Sequence, residues 1–487
     1  MTAADLIIRN AVLIDGTGAP RRSADVAITD DRISAVDDTL DLNASEEVDA
    51  KGLILAPGFI DAHTHDDRIV LVDPAMSCKI SQGVTTVVTG NCGISIAPVS
   101  IDRCPPAPLD LIGKLPEQFF ASFSSYFDAL DTKPPAVNVV AQAGHSSLRV
   151  MAMSELDRPA TPSEIDGMRD ALRQALAEGA AGLSTGLAYQ PAHAAPTEEI
   201  EALAAVASEY RGFHSTHMRD EGEGVMTSLA ETFRIGQTAR IPVIISHHKC
   251  SGIPNHGQSR NTLPFIEKAR AEQPVALDCY PYVASSTVLD PARVAEASKT
   301  VIAWSTKRPE QAGKDLADIA KDLSLSIDEA IDALQPAGAI YFNMNEEDVR
   351  RILTFPATMI GSDGLPHDEF PHPRLWGTFP RVLGHYSRDV GLFSLEEAVR
   401  KMTSLTAAAF GIKDRGIIAE GSFADCVLFD AKTVIDSATF ENPSEPAAGI
   451  AQVFVNGKRV WENGTATGAR PGRGLRRHSL LPLHFAA

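Results

Sequence analysis

Eight short apolar strand patterns alternating with helical ones, β-rich runs at both ends and one overlong connection predict an α/β chain. The expected architecture is a TIM (β/α)8 barrel, with a small β domain built from both termini and an inserted segment between barrel strands seven and eight. At 487 residues the chain exceeds what one hydrophobic core usually covers, which fits one large domain with smaller companions. Its apolar share of 44% and charged share of 22% are those of an ordinary globular protein.

The N-terminal runs Leu6-Ile7-Ile8, Ala11-Val12-Leu13-Ile14, Asp25-Val26-Ala27-Ile28 and Arg32-Ile33-Ser34-Ala35-Val36 read as strands around turns at Asp15-Gly16 and Asp30-Asp31. The far end has the same character. Ala424 to Phe429 is a strand, and Gln452-Val453-Phe454-Val455 meets Arg459-Val460-Trp461 through Asn456-Gly457, a strong hairpin signal. Because termini usually lie close together, both ends are assigned to one composite domain, 1–55 and 415–487, around a barrel spanning 56–414.

Within the barrel, the strands are expected to end at His63/His65, at Gly90-Asn91-Cys92-Gly93, at Gly144-His145, at Ser184-Thr185-Gly186, at His217, at His247-His248, at Tyr280-Pro281-Tyr282 and at Ser362-Asp363-Gly364. The helices between them carry their own signals. Thr161-Pro162-Ser163-Glu164 is a capping box with proline at N1, Ile165, Met168, Leu172 and Leu176 line one face, and Gly179 closes the helix. The stretch between Tyr282 and Met359 far exceeds the ~10–12 residues of a simple crossover, so 285–345 is read as an inserted, lid-like subdomain with a helical part from Glu310 to Leu334.

A formal charge of -19 and a pI near 5.2 argue against nucleic acid or an anionic membrane as the main partner. Asp5 and Arg9 interrupt the first apolar residues, so no export signal is read, and Gly83, Gly90, Gly93 and Pro98 break the longest uncharged run. The six cysteines lack CxxC spacing. A cytoplasmic monomer or small homo-oligomer without disulfides is expected.

The chemistry concentrates at the strand ends. His63 and His65 stand two apart at the end of an apolar run, so a strand would present both imidazoles to one point. Cys92, His217, His247 and Asp363 fall at the same face of the barrel, where such folds do their chemistry. Taken singly, each has a plain structural role available, as small buried hydrophobe, strand cap or turn residue. Jointly, accident would have to place metal-type residues at the ends of five strands. A thiolate and imidazoles suit zinc, and Asp363 is the candidate acid/base for a metal-activated water. The reaction class implied is hydrolysis at a carbonyl carbon.

The stretch Ala56-Pro57-Gly58-Phe59-Ile60-Asp61-Ala62-His63-Thr64-His65 resembles the opening of an amidohydrolase-superfamily barrel. Gly90-Asn91-Cys92-Gly93, Thr216-His217-Met218-Arg219-Asp220-Glu221, Ser246-His247-His248-Lys249, Asp278-Cys279-Tyr280-Pro281-Tyr282, Gly361-Ser362-Asp363-Gly364 and His372-Pro373-Arg374-Leu375-Trp376-Gly377-Thr378 resemble the D-aminoacylases, the N-acyl-D-amino-acid deacylases. The resemblance covers nearly the whole chain. It implies a tightly held zinc on Cys92, His217 and His247, a second, weaker metal site at His63 and His65, and Asp363 as general acid/base. Leu183-Ser184-Thr185-Gly186 offers no lysine to bridge two metals, so Cys92 would have to bridge them.

For the substrate's α-carboxylate, Lys249 lies two residues past His247, and Arg374 with Tyr280 completes a clamp at positions the family uses for that role. Arg293 in the insertion could meet an acidic side chain, whereas Val288-Leu289 suits apolar ones. His145, His214, His248 and Arg219-Asp220-Glu221 are read as supporting structure. The expected activity is zinc-dependent hydrolysis of N-acyl-D-amino acids. Its rivals are cyclic amide hydrolysis or nucleobase deamination on the same barrel and, more remotely, a non-catalytic scaffold.

Overall fold

The computed structural model describes residues 4–481. A nine-stranded sheet gathers both ends of the chain. Ala4–Leu13 pairs with Arg22–Thr29, Ala44–Asp49 and Ile54–Pro57, and Ile54–Pro57 passes the sheet on to Cys426–Phe429, Ile450–Val455 and Lys458–Glu462. Asn456 and Gly457 take φ of 46° and 75°, the left-handed pair that a tight hairpin with native twist requires. The apolar run from Leu53 to Ile60 is divided at Gly58 between this sheet and the barrel. A Cβ on Gly58 would meet Thr85 at 2.2 Å, so only glycine lets the chain cross there.

The barrel strands are β1 (Phe59–Asp61), β2 (Val84–Thr89), β3 (Asn138–Ala141), β4 (Leu183–Gly186), β5 (His214–His217), β6 (Val243–Ile245), β7 (Val275–Cys279) and β8 (Thr358–Ile360), and neighbours pair in parallel. Hydrogen bonds cross both remaining seams. Ala181 N donates to Ala141 O at 2.8 Å between β3 and β4, and Ala62 N donates to Ile360 O at 3.2 Å between β1 and β8. Inside the ring, Ile60, Val88, Val140, Phe213, Ile244, Ala276 and Met359 form one apolar cluster closed from below by Phe410, Ile412 and Leu480. The interior is a packed core, so chemistry is confined to the C-terminal rim.

Element positions differ from expectation at two places. Ser184-Thr185-Gly186 lies within β4, because Leu183 to Gly186 pairs residue for residue with His214 to His217. The insertion is more than helical. Ser285–Val288, Thr300–Ser305 and Ala337–Tyr341 form an antiparallel sheet on which Leu316–Leu323 and Ile327–Leu334 pack through Leu316, Ile319, Ile331 and Leu334. The Thr161 capping box is present, with Thr161 Oγ1 accepting from Glu164 N at the start of helix Pro162–Ala177.

Candidate metal centre

The connection after β2 is built by glycines. Cβ atoms on Gly90 and Gly186 would meet Gln142 O at 2.2 Å and Cys92 O at 2.1 Å, so backbone packs directly on backbone around Cys92. Cys92, His247 and Asp363 adopt φ of 54°, 35° and 50° just past their strands, which turns their side chains inward over the barrel mouth. Cys92 Sγ lies 3.3 Å from His63 Nε2 and 3.3 Å from His247 Nε2. Asp363 Oδ1 lies 3.2 Å from His65 Nε2 and 3.5 Å from His63 Nε2.

Two groups of metal-type atoms result, His63/Cys92/His247/Asp363 and His217/Glu221/His247, with His247 common to both. The trio Cys92, His217 and His247 is thus divided between them, although the His217 and His247 rings touch at 4.4 Å between centroids. Both ring nitrogens of His217 and Nδ1 of His65 are buried without a hydrogen-bond partner among the described residues. Orphaned imidazole nitrogens beside a buried thiol are a donor set that zinc satisfies. Burial opposes ionisation of Cys92, but His63 and His247 outweigh it and hold the thiol well below its ordinary range, which favours the ligating thiolate.

Asp363 is held from the other side. Arg374 Nη1 reaches Asp363 Oδ2 at 2.8 Å, Arg374 Nη2 donates to Ser286 O at 3.1 Å, and the guanidinium stacks 4.6 Å from the centroid of the Tyr280 ring. Burial would raise the Asp363 pKa, yet Arg374 and the surrounding histidines keep it well below the carboxylate range. Lys249 Nζ stands 2.7 Å from both Glu221 Oε1 and His247 Nδ1. The expected clamp residues Lys249, Tyr280 and Arg374 therefore do gather, but Lys249 and Arg374 each already hold a carboxylate.

Two carboxylates carry more than the sequence suggested. Glu221, read there as supporting structure, sits 2.9 Å from His247 Nδ1 and 3.5 Å from His217 Nε2. Its place four residues after His217 was the available signal. Asp278 accepts from His247 N at 2.9 Å and faces His63 Nδ1 at 3.5 Å, orienting two candidate ligands at once. Tyr189 packs on His217 at 4.8 Å between ring centroids and hydrogen bonds with Thr287 of the insertion at 3.1 Å. Glu221, His217, Tyr189 and Thr287 line a cavity together with Cys92, His247, Lys249, Asp363, Ile94, Leu111, Arg293 and Leu365.

The amidohydrolase family model matches residues 46–272 and 329–461. A D-aminoacylase from Alcaligenes xylosoxydans xylosoxydans is 55% identical over 97% of this chain and 98% of its own length. A solved structure of a D-aminoacylase, described for the functional role of its binuclear metal centre with one-metal activation and second-metal attenuation, superposes with a TM-score of 0.95 at 54% identity over 97% of this chain and 100% of that one. An N-acyl-D-glutamate deacylase from Bordetella bronchiseptica, complexed with zinc and a phosphonate mimic of the tetrahedral intermediate, superposes with a TM-score of 0.94 at 47% identity over 98% of this chain and 100% of that one. Matched along nearly its whole length, the chain belongs to the amidohydrolase family, within its D-aminoacylase branch.

Proposed function

We propose that this protein hydrolyses N-acyl-D-amino acids to a carboxylic acid and a free D-amino acid, with zinc as its metal. The observation that carries the reading is Asp363, held by Arg374 within reach of the Cys92/His63/His247 cluster, at the floor of a cavity that also presents Lys249. Cys92, His217 and His247 are assigned the tight zinc, and His63 and His65 a weaker second one; the one-metal activation and second-metal attenuation named for a D-aminoacylase support two unequal sites. Bound zinc supplies a Lewis acid that polarises the amide carbonyl and acidifies water.

The chain's own groups do the rest. Asp363 takes the proton of the attacking water and returns it to the leaving amine nitrogen. Lys249, Tyr280 and Arg374 are assigned to the substrate's α-carboxylate: Lys249 and Tyr280 line the cavity, the Tyr280 hydroxyl is buried without a partner among the described residues and free to donate, and Arg374 stands behind Asp363 and the Tyr280 ring. Glu221 fixes His247 and Lys249 together. The substrate side chain faces Ser285, Ser286 and Thr287 and half-buried Arg293. The insertion 285–345 acts as a lid on the barrel 56–414, and 1–55 with 415–487 forms the supporting β domain. No helix among the described residues is long and apolar enough to cross a membrane. Six unbridged cysteines support a cytoplasmic setting.

The test is amine release by zinc-loaded protein from matched N-acetyl-D- and N-acetyl-L- forms of leucine, methionine, phenylalanine, glutamate and aspartate. Turnover of the D series alone is expected, with Asp363→Asn lowering kcat by roughly 10²–10⁴-fold. Equal turnover of both series, or turnover only of hydantoins or nucleobases, would overturn the reading.

A further inference from the structure

The cavity has two unlike walls. Glu221, Lys249, Tyr280, Ser286 and Arg293 reach it from the connections after β5, β6 and β7. The facing side brings the apolar residues of the cavity beside His65, Cys92 and Asp363: Ile94 lies two residues past Cys92, Leu365 two past Asp363, and Pro108 and Leu111 belong to the long connection after β2. In a ring of eight strands the ends of β8, β1 and β2 stand across the mouth from those of β5 and β6, so the two walls confront each other over the metal cluster.

The apolar wall is firmly held. Leu109 and Ile112, either side of the cavity-facing Leu111, are wholly buried, and Arg68 Nε donates to Ile112 O at 3.0 Å. The same connection reaches the insertion, where Lys114 Nζ sits 5.1 Å from the Trp304 ring centroid, and Phe370 N from the β8 connection donates to Ala303 O at 2.9 Å. A fixed wall limits what fits against it. With the carboxylate end drawn to Lys249 and Tyr280 and the amide carbon over the metal cluster, the remaining part of the substrate, its acyl group, meets this wall.

We infer that Ile94, Pro108, Leu111 and Leu365 form the acyl-binding wall and that Leu111 sets the longest acyl chain the enzyme accepts. The inference rests on the deacylase reading. A wall held by wholly buried neighbours cannot retreat before a long chain, so the accepted chains are short, acetyl to butyryl.

The experiment compares kcat/KM for N-acetyl-, N-butyryl- and N-octanoyl-D-leucine in the wild type, Leu111→Ala and the volume-conserving Leu111→Met, each zinc-loaded. Wild type should favour the short chains. Leu111→Ala should raise the octanoyl-to-acetyl ratio by roughly tenfold or more, the scale of a methylene-sized change in an apolar pocket, and Leu111→Met should shift it less in the same sense. Leu365→Ala provides an independent ratio should Leu111→Ala not fold. Deacylation with acyl ratios unchanged in all variants would sink the wall and leave the deacylase reading standing. Absence of turnover on every acyl-D-amino acid would overturn both.

Discussion

Arg374 is almost wholly buried and serves two partners, the Asp363 carboxylate and the Ser286 carbonyl, while its planar group lies on Tyr280. A residue reserved for the substrate carboxylate would matter for free acids and little for their amides. The contact with Asp363 changes that expectation, because removing the guanidinium leaves a buried carboxylate without its principal counter-charge. Arg374→Ala should cost about 2–5 kcal/mol in kcat/KM on N-acetyl-D-leucine, and a large part of that loss should persist on N-acetyl-D-leucinamide. Steady-state kinetics on the pair decide it, since an amide rate equal to wild type would return Arg374 to a pure carboxylate clamp. The same reasoning explains why Glu221 was overlooked. Its role exists only where helix and strand connections bring Lys249, His247 and His217 around it.

Among the elements, the helices behind β3 and β4 are tied by charge. His145 and Arg149 lie on helix His145–Ala152, and Glu199 on Thr197–Glu209 meets them at 2.9 and 2.5 Å. All three are buried. Burial alone would raise the Glu199 pKa, but His145 and Arg149 outweigh it and bring it to about 2 from an ordinary 4.5. A depressed folded-state pKa stabilises the fold above the unfolded value, and that contribution is lost as pH falls through the folded one. The stability difference between wild type and Glu199→Gln, measured by denaturant titration, should therefore be full above pH about 4.5 and shrink steadily toward pH about 2. A difference constant over that window would mean that ionised Glu199 does not link the helices. His145, at a strand end like the candidate ligands, belongs to neither group of metal-type atoms among the described residues.

For the whole molecule, a buried polar knot joins the nine-stranded sheet to the barrel. Arg415 pairs with Asp425 and donates to Asn456 Oδ1 at 2.8 Å, Asn456 Nδ2 donates to Asn138 Oδ1 at 2.9 Å, and Asn138 Nδ2 donates to Asp425 Oδ2 at 3.2 Å. Asp425→Ala would strand the Arg415 charge in the interior. It should lower unfolding free energy by about 3–5 kcal/mol, with fluorescence and circular dichroism moving together in one transition. Two separated transitions would show that sheet and barrel unfold independently.

Strand and helix placement was legible wherever local chemistry decides it. Asn456-Gly457 can only be a tight turn, Thr161 to Glu164 satisfies a helix start, and the apolar runs ahead of Cys92, His247 and Asp363 mark buried parallel strands. The candidate ligands were legible for the same reason, since histidine and cysteine at strand ends announce themselves by residue type. What the sequence by itself determined is thus the barrel's element order and the histidines, cysteine and aspartate at its strand ends. Only the tertiary structure decided which of those groups touch: that His247 is common to two clusters, that Arg374 holds Asp363, and that a strand of the insertion lines the cavity beside them. The physical reason is range. Strand and turn preferences act over a few residues, whereas Arg374 finds Asp363 and Ser286, and Glu221 finds Lys249, only through the closure of the ring, which no local pattern encodes.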